Sequence, residues 1–296
     1  MHIDSEFRSG YVTLIGRPNV GKSTLLNQLL DFKLSIVSGK PQTTRRQIVG
    51  ILSDIKSQII FLDTPGILKP QYQLQDKMMS YVKSAIGDSD VVVIIGDVTS
   101  KMIIDKTIES IISSIKVPII FAVNKTDLIE KKALLPVISE ISKIITDSAV
   151  IPFSALKNEG VDLILKEIKN LLPLGPPFYP LEEISNQNER FFVEEIIREK
   201  IFDLYSQEIP YSTHVHIEEF RSCDRGKTYI RAVVMVERNS QKAIIIGRGG
   251  IRLKRLGQFA RNEIEKFINR PVFLELFVKK FEDWRRNTSK LKELGY

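Results

Sequence analysis

Residues Gly16-Arg17-Pro18-Asn19-Val20-Gly21-Lys22-Ser23 satisfy the pattern G-x-x-x-x-G-K-[ST]. They follow an apolar run at 11–15 and lead into the helix-like Thr24-Leu25-Leu26-Asn27-Gln28-Leu29-Leu30. This order restricts the chain to folds in which a strand turns sharply into a helix whose first turn holds an anion. The glycines let the backbone curl until several N–H groups converge, the start of the helix is partly positive, and Lys22 adds a full charge. A nucleoside triphosphate is the natural occupant, contacted along 16–24.

With 296 residues the chain has room for about two domains, and 43% apolar with 27% charged residues is a globular composition. The longest apolar stretches, 91–95 and 117–123, fall far short of the roughly 20 residues that span a bilayer. They read as buried strands. The first ten residues lack an apolar signal core and the one cysteine, Cys223, has no internal disulfide partner, so the expected location is the cytoplasm.

Through residue 172, β-branched runs at 11–15, 47–52, 58–62, 91–95, 117–123 and 149–152 alternate with helical periodicity at 71–85, 103–115, 128–146 and 161–172. This alternation predicts an α/β domain, 1–172, built on a mostly parallel sheet covered on both faces. Four prolines within Pro173-Leu174-Gly175-Pro176-Pro177-Phe178-Tyr179-Pro180 forbid a regular helix and mark a stiff linker over 173–188. The remainder, 189–296, reads as an α+β module. Its expected order is a helix over 189–205, strands over 213–220 and 228–237 joined by Asp224-Arg225-Gly226, two helices around a Gly-rich break, and a strand over 272–278.

Three further segments suit a nucleotide. Asp63-Thr64-Pro65-Gly66 closes the strand at 58–62, at the strand tip where open α/β sheets place ligands. There Asp63 would hold magnesium through its water shell, Ser23 would bind the ion directly, and the Gly66 amide could approach a γ-phosphate. After the strand at 117–123 comes Asn124-Lys125-Thr126-Asp127. The Asp127 carboxylate can accept two hydrogen bonds from guanine N1 and N2, groups adenine does not offer, which selects GTP over ATP. Ser154-Ala155 completes the base pocket, with the Ala155 N–H aimed at the guanine carbonyl.

At this point the chain resembles the translation-factor-class GTPases. The resemblance implies a fifth element, a switch threonine within Pro41-Gln42-Thr43-Thr44-Arg45, with Thr44 placed slightly ahead of Thr43 as the residue that meets magnesium. It also implies GTP hydrolysis to GDP, with Asn19, Lys22, Thr44 and Gly66 as the catalytic set. The position after D-x-x-G, where some GTPases carry a water-orienting glutamine, is Ile67. The chain is similar in this to the subgroup in which an asparagine matching Asn19 helps hold potassium against the phosphates. The alternative role for Asn19 is to shape the loop.

The net charge of +7 is uneven: residues 189–296 hold 22 Lys and Arg against 16 Asp and Glu. A solvated surface or a polyanion partner fits that surplus. Within it, Ile246-Gly247-Arg248-Gly249-Gly250 contains G-x-x-G between two helical stretches, followed by Arg252, Lys254, Arg255 and Arg261. A glycine helix cap would read the same, but together with the α-β-β-α-α-β order this half resembles a KH domain of type II, which clamps about four nucleotides of single-stranded RNA. Lys279, Lys280, Trp284 and Arg285 join the candidate RNA contacts, while Phe277, Phe281 and Trp284 suit core packing equally well. His214 and His216 share a strand face without a third ligand and are assigned structural roles.

The whole arrangement resembles the Era-like family of bacterial ribosome-assembly GTPases. Membership implies binding near the 3′ end of small-subunit ribosomal RNA during maturation of the 30S subunit. It further implies peripheral contact at the inner membrane. A monomer is expected, and ordering of the Thr43-Thr44 and Asp63–Gly66 segments by GTP is expected to change how the RNA-binding half is presented. The rival readings are an RNA-binding protein with a relic nucleotide domain, and a GTPase acting on a protein or membrane partner.

Overall fold

The run 57–63 is buried at every position, as a central strand must be when helices cover both faces of its sheet. In the computed structural model, which describes residues 6–100, 102–146, 148–222 and 226–296, this run lies inside a six-stranded sheet. Residues 1–5, Cys223, Asp224 and Arg225 lie outside the described residues. By contact the chain divides into two units. One comprises Met1–Ser35, Thr44–Lys69 and Met78–Asn186; the other comprises Ile36–Thr43, Pro70–Lys77 and Gln187–Tyr296.

The larger sheet uses β1 (Arg8–Gly16), β2 (Ile48–Ser53), β3 (Ser57–Asp63), β4 (Val91–Asp97), β5 (Ile119–Asn124) and β6 (Ala149–Pro152) in the order β2-β3-β1-β4-β5-β6. Only β2 runs antiparallel to its neighbour. Because β1 lies between β3 and β4, the crossovers diverge on either side of it, and the crevice at the strand ends there is the ligand position of a doubly wound sheet. The helices are α1 (Lys22–Leu30), α2 (Gln73–Gly87), α3 (Lys106–Ile112), α4 (Lys131–Ile144) and α5 (Val161–Leu171).

Two helices are shorter than their periodicity suggests, for local reasons. The Asp105 carboxylate accepts the N–H groups of Thr107 and Ile108, so α3 starts after it rather than at 103. A 3₁₀ turn at Thr126–Leu128 carries Asp127 and delays α4. The proline-rich stretch is pinned rather than free: Gln58 accepts the N–H groups of Phe178 and Tyr179 at 2.7 and 2.9 Å, and the Ile184 carbonyl accepts the Ile51 N–H at 2.9 Å along edge strand β2. An otherwise open sheet edge is thereby covered.

In the second unit α6 (Glu189–Leu204) and α7 (Ile209–Ser212) precede β7 (His214–Arg221) and β8 (Thr228–Val236). There follow α8 (Asn239–Ile246), α9 (Ile251–Ile268), β9 (Val272–Lys280) and α10 (Thr288–Glu293). The sheet order is β7-β8-β9, with β7 and β8 antiparallel and β8 and β9 parallel. Alternate residues of β8, Ile230, Ala232, Val234 and Val236, pack in one core with Ile197, Leu256, Ala260 and Ile264. Among the described residues no helix is long and apolar enough to cross a membrane.

Candidate functional site

Gly16 ends β1 and Lys22 begins α1, so the phosphate loop is the turn between them. No acidic residue occupies the first turn of α1, which leaves its positive end uncompensated. Lys22 is buried, with Nζ 3.0 Å from the Arg17 carbonyl and 3.2 Å from that of Gly16. Burial lowers its pKa to about 8, against the opposing pull of Asp63. Pro18 and Thr24 are half-buried, Val20 is buried and Asn19 is exposed with φ 63°, a left-handed conformation that asparagine tolerates.

Asp63, fully buried at the end of β3, faces the loop. Its Oδ2 accepts from Ser23 Oγ at 2.8 Å and Thr44 Oγ1 at 3.4 Å, and the two hydroxyls are 3.1 Å apart. Its Oδ1 is buried without a hydrogen-bond partner. Burial pushes the carboxyl up, while Lys22 and the neighbouring hydroxyls pull it down. An uncompensated carboxylate oxygen beside two hydroxyl oxygens fits a hard divalent cation such as magnesium. Thr44 therefore belongs to this cluster. The Thr43 carbonyl instead accepts from the Arg198 guanidinium within the second unit.

The D-x-x-G segment serves partly as scaffold. The Thr64 side chain is fully buried, its hydroxyl donating to the Leu14 carbonyl at 2.7 Å, and Pro65 is buried, so both side chains help to hold the segment in place. At Gly66 a Cβ would come within 2.7 Å of Pro18 N and 2.8 Å of Pro18 Cα, so only glycine permits this approach of the two loops. Ile67 is 1% exposed and packs with Ile15, Val82 and Ile94. Its side chain lies in the core.

Asn124 braces the base loops. Its Nδ2 donates to the Val20 carbonyl at 2.7 Å, and its Oδ1 accepts the N–H groups of Lys125 at 2.7 Å and Ala155 at 2.9 Å. The Ala155 N–H is thus engaged by Asn124. Asp127 is exposed and accepts from Ser154 Oγ at 2.6 Å through Oδ1, which leaves Oδ2 for a base. Lys125 pairs with Asp97 at the end of β4. Asp97 and Asp105, which grips Arg17, escaped the motif reading, although Asp97 ends a buried strand and Asp105 precedes a helix like a cap.

In the second unit α8 ends at Ile246, which is half-buried, and Gly247–Gly250 leads into α9. Gly249 at φ 59° and Gly250 at φ 78° are left-handed with open space around them, so conformation rather than crowding calls for glycine here. Arg248, Arg252, Lys254 and Arg255 are exposed around this loop. A groove of about 590 Å³ runs between α9 and β9, lined by Lys254, Gly257, Gln258, Arg261, Leu274 and Leu276. Gln258, Leu274 and Leu276 were not legible as site residues, because nothing in their spacing shows which core edge remains open.

Two expected RNA contacts are corrected. Trp284 is 0% exposed, and its Nε1 donates to the Ser212 carbonyl at 3.1 Å, so it is a core residue and cannot stack on bases. Arg285 is mostly buried and paired with Glu237. Lys279 and Lys280 are exposed but paired with Glu218 and Glu282 at 2.6 and 3.1 Å. Phe277 is 45% exposed and Phe281 half-buried. His214 is buried with Nδ1 3.2 Å from the Tyr296 hydroxyl, and the exposed His216 lies 3.4 Å from Glu194.

A phosphate loop at the switch point of a doubly wound sheet, with a guanine-type base loop on β5, followed by a G-x-x-G module, defines a P-loop GTPase joined to a KH domain. Residues 11–125 match the family described as 50S ribosome-binding GTPase, and residues 208–285 match the KH domain family. The chain is 43% identical to the GTPase Era of Geotalea daltonii and 40% identical to that of Staphylococcus haemolyticus, with 99% of this chain and at least 98% of each relative covered. The crystal structure of Era in complex with MgGDPNP and nucleotides 1506–1542 of 16S ribosomal RNA superposes with a TM-score of 0.93 at 39% identity, over 98% of this chain and 99% of that one. A variant of Aquifex aeolicus Era bound to GDP and AlF4⁻ gives 0.93 at 38% identity over the same shares. The chain belongs to the Era family of GTPases.

Proposed function

We propose that the first unit binds GTP with its phosphates on the backbone N–H groups of 17–24 and on Lys22, and its guanine on Asn124, Asp127, Ser154 and Ala155. Ser23, Thr44 and Asp63 hold magnesium, which when bound supplies positive charge against the phosphate oxygens. The buried, unpartnered Oδ1 of Asp63 beside Ser23 and Thr44 carries this reading, because Lys22 and the hydroxyls on Oδ2 leave that oxygen without a hydrogen bond of its own. Lys22 offers its ammonium to the phosphates, and the Gly66 N–H is available to the γ-phosphate. Ile67 contributes no hydrogen bond to water, so transition-state charge must be met elsewhere. Asn19 helps hold a potassium ion for that purpose.

The second unit takes single-stranded RNA in the groove between α9 and β9, with Gly247–Gly250 against the phosphodiester backbone. The 16S RNA bound by the relative supports small-subunit ribosomal RNA near its 3′ end as the partner, and 30S maturation as the process. GTP and GDP set different affinities for that RNA. The protein works as a monomer in the cytoplasm, and its basic surplus permits peripheral contact with anionic lipid at the inner membrane. The test is mapping of RNA crosslinked in cells to wild-type and GTP-locked protein. Crosslinks from Gly247–Gly250 to the 3′ end of small-subunit RNA, denser in one nucleotide state, are the expected result. Equal uptake of ATP and GTP, or crosslinks scattered over unrelated RNA, overturns the reading.

A further inference from the structure

Helix α9 is flanked by two depressions. Lys254, Gly257 and Arg261 turn one face of the helix toward the groove with β9. Arg252 and Arg255, three residues apart and hence neighbours on another face, turn toward a separate cavity of about 510 Å³ where α6 ends. Its lining includes the buried Tyr205 and Ile209, with Ser206, Ile244 and the two arginines exposed. The volume is within the roughly 300–1,000 Å³ typical of small-ligand sites.

The charge at this cavity has no internal owner. Elsewhere in the second unit, Arg198, Arg231, Arg270 and Arg285 each pair with a glutamate. Among the described residues, neither Arg252 nor Arg255 has a hydrogen bond or ion pair; Arg255 only lies over the Phe259 ring at 5.5 Å. The lining contains no acidic side chain. Two uncommitted guanidinium groups can grip one phosphate through their planar forks, while the 39% exposed Ile244 offers an apolar contact to a base or ribose. Tyr205 is held in place by its hydroxyl, which donates to the Ile245 carbonyl at 2.9 Å. The cavity is also tied to the G-x-x-G loop: a Cβ on Gly247 would come within 2.8 Å of Arg252 Cγ, so this glycine gives the arginine its path.

We propose that this cavity is a second RNA subsite, which takes one further nucleotide of a strand already clamped in the groove on the other side of α9. Its phosphate lies between Arg252 and Arg255, and its base or ribose against Ile244 at the mouth of the cavity. The proposal rests on the reading of the α9–β9 groove as the RNA cleft.

The test titrates the full chain with a four-nucleotide RNA from the 3′ region of small-subunit ribosomal RNA, and with the same RNA extended by one to four nucleotides at either end. Three proteins are compared: the wild type, Ser206→Trp, which fills the cavity and keeps both charges, and the double variant Arg252→Ala/Arg255→Ala. Extension at one end is expected to tighten wild-type binding about tenfold, with the gain reduced to about twofold or less in both variants. Four-nucleotide binding to Ser206→Trp should stay within about threefold of wild type. The salt dependence for the extended RNA should fall by about 0.7 in logarithmic slope for the phosphate lost in the double variant. An undiminished gain in Ser206→Trp, or no gain in the wild type that binds the short RNA, overturns the second subsite and leaves the cleft standing. Failure of the wild type to bind either RNA overturns both. Saturable binding of uridine monophosphate at Ile244 and Arg252 with no gain on extension assigns the cavity to a free nucleotide, which also overturns the proposal.

Discussion

Arg17 of the phosphate loop and Asp105, the cap of α3, are joined through two guanidinium nitrogens, with Nε 2.8 Å from Oδ2. The third nitrogen reaches the Ile67 carbonyl at 3.1 Å, and the Ile67 N–H donates to the Gly16 carbonyl at 2.9 Å. The peptide that follows D-x-x-G is therefore fixed to the phosphate loop on both sides. Gly66, whose amide is proposed to meet the γ-phosphate, inherits its position from that clamp.

Asp105 has two separable tasks, capping and pairing. Asp105→Ala loses both and should cost about 1–2 kcal/mol in urea unfolding, whereas Asp105→Asn keeps a capping oxygen and should cost about 0.5 kcal/mol, the pair being partly exposed. Burial pushes the Asp105 carboxyl up, but Arg17 and the amides of Ile108 and Thr107 outweigh it and hold it below the ordinary value. With the folded pKa depressed, the contribution is complete above the unfolded value near 3.8 and is lost as pH falls through the folded one. The difference between wild type and Asp105→Asn should accordingly be largest near neutrality and shrink below pH of about 4.

Removing the Asp63 charge should separate folding from metal binding. Asp63→Asn relieves a buried carboxylate with one orphaned oxygen, so the ligand-free protein should be as stable as wild type or more so. The same variant should lose the extra thermal stabilisation that magnesium confers together with GTP. Melting curves with GTP plus magnesium and with GTP plus EDTA check this: wild type should shift between them, and Asp63→Asn should not.

Base choice should reverse at Asp127. An amide there presents a donor to guanine N1–H and N2–H, so Asp127→Asn should weaken GTP about a hundredfold or more. Xanthosine triphosphate, which has a carbonyl where guanine has its amine, should regain part of the loss. Competition binding with GTP, ATP and xanthosine triphosphate measures all three, and unchanged preference for GTP would remove Asp127 from the base site.

Trp284 is predicted to matter for folding and not for RNA. Trp284→Ala empties a fully buried site and should destabilise the second unit by about 3–5 kcal/mol. Trp284→Phe keeps most of the volume, loses the hydrogen bond to Ser212 and should retain RNA affinity within about twofold. A large, selective loss of RNA binding in Trp284→Phe at unchanged fold would contradict its core placement.

These residues show where reading a sequence succeeds and where it stops. The placement of Lys22, Asp63 and Asp127 at or just past strand ends was legible because the motifs that hold them each follow an apolar, β-branched run. The sheet class followed from β-branched runs alternating with helical periodicity. Trp284 and Arg285 were ambiguous because aromatic and cationic side chains look alike in sequence whether they face solvent or core. Arg17 with Asp105, and Asn124 with Val20, are 88 and 104 residues apart, beyond any local pattern. The stretch after Leu172 reads as a stiff linker, and what holds it in place appears only when Gln58, more than a hundred residues earlier, is seen to bind Phe178 and Tyr179.

Asn19 bears on the source of charge stabilisation, since the buried Ile67 offers none. A potassium ion held by the Asn19 side chain should make GTP turnover faster in potassium than in sodium at equal ionic strength. Asn19→Ala should abolish the difference, but alanine at φ 63° is strained and would disturb the loop by itself. Asn19→Gly accepts that conformation freely while deleting the amide, so it isolates the ligand role from the loop-shaping role. Turnover of Asn19→Gly should be low and the same in both salts, with GTP affinity close to wild type. If Asn19→Gly keeps the potassium preference, the side chain serves the turn alone and the cation is held by other groups.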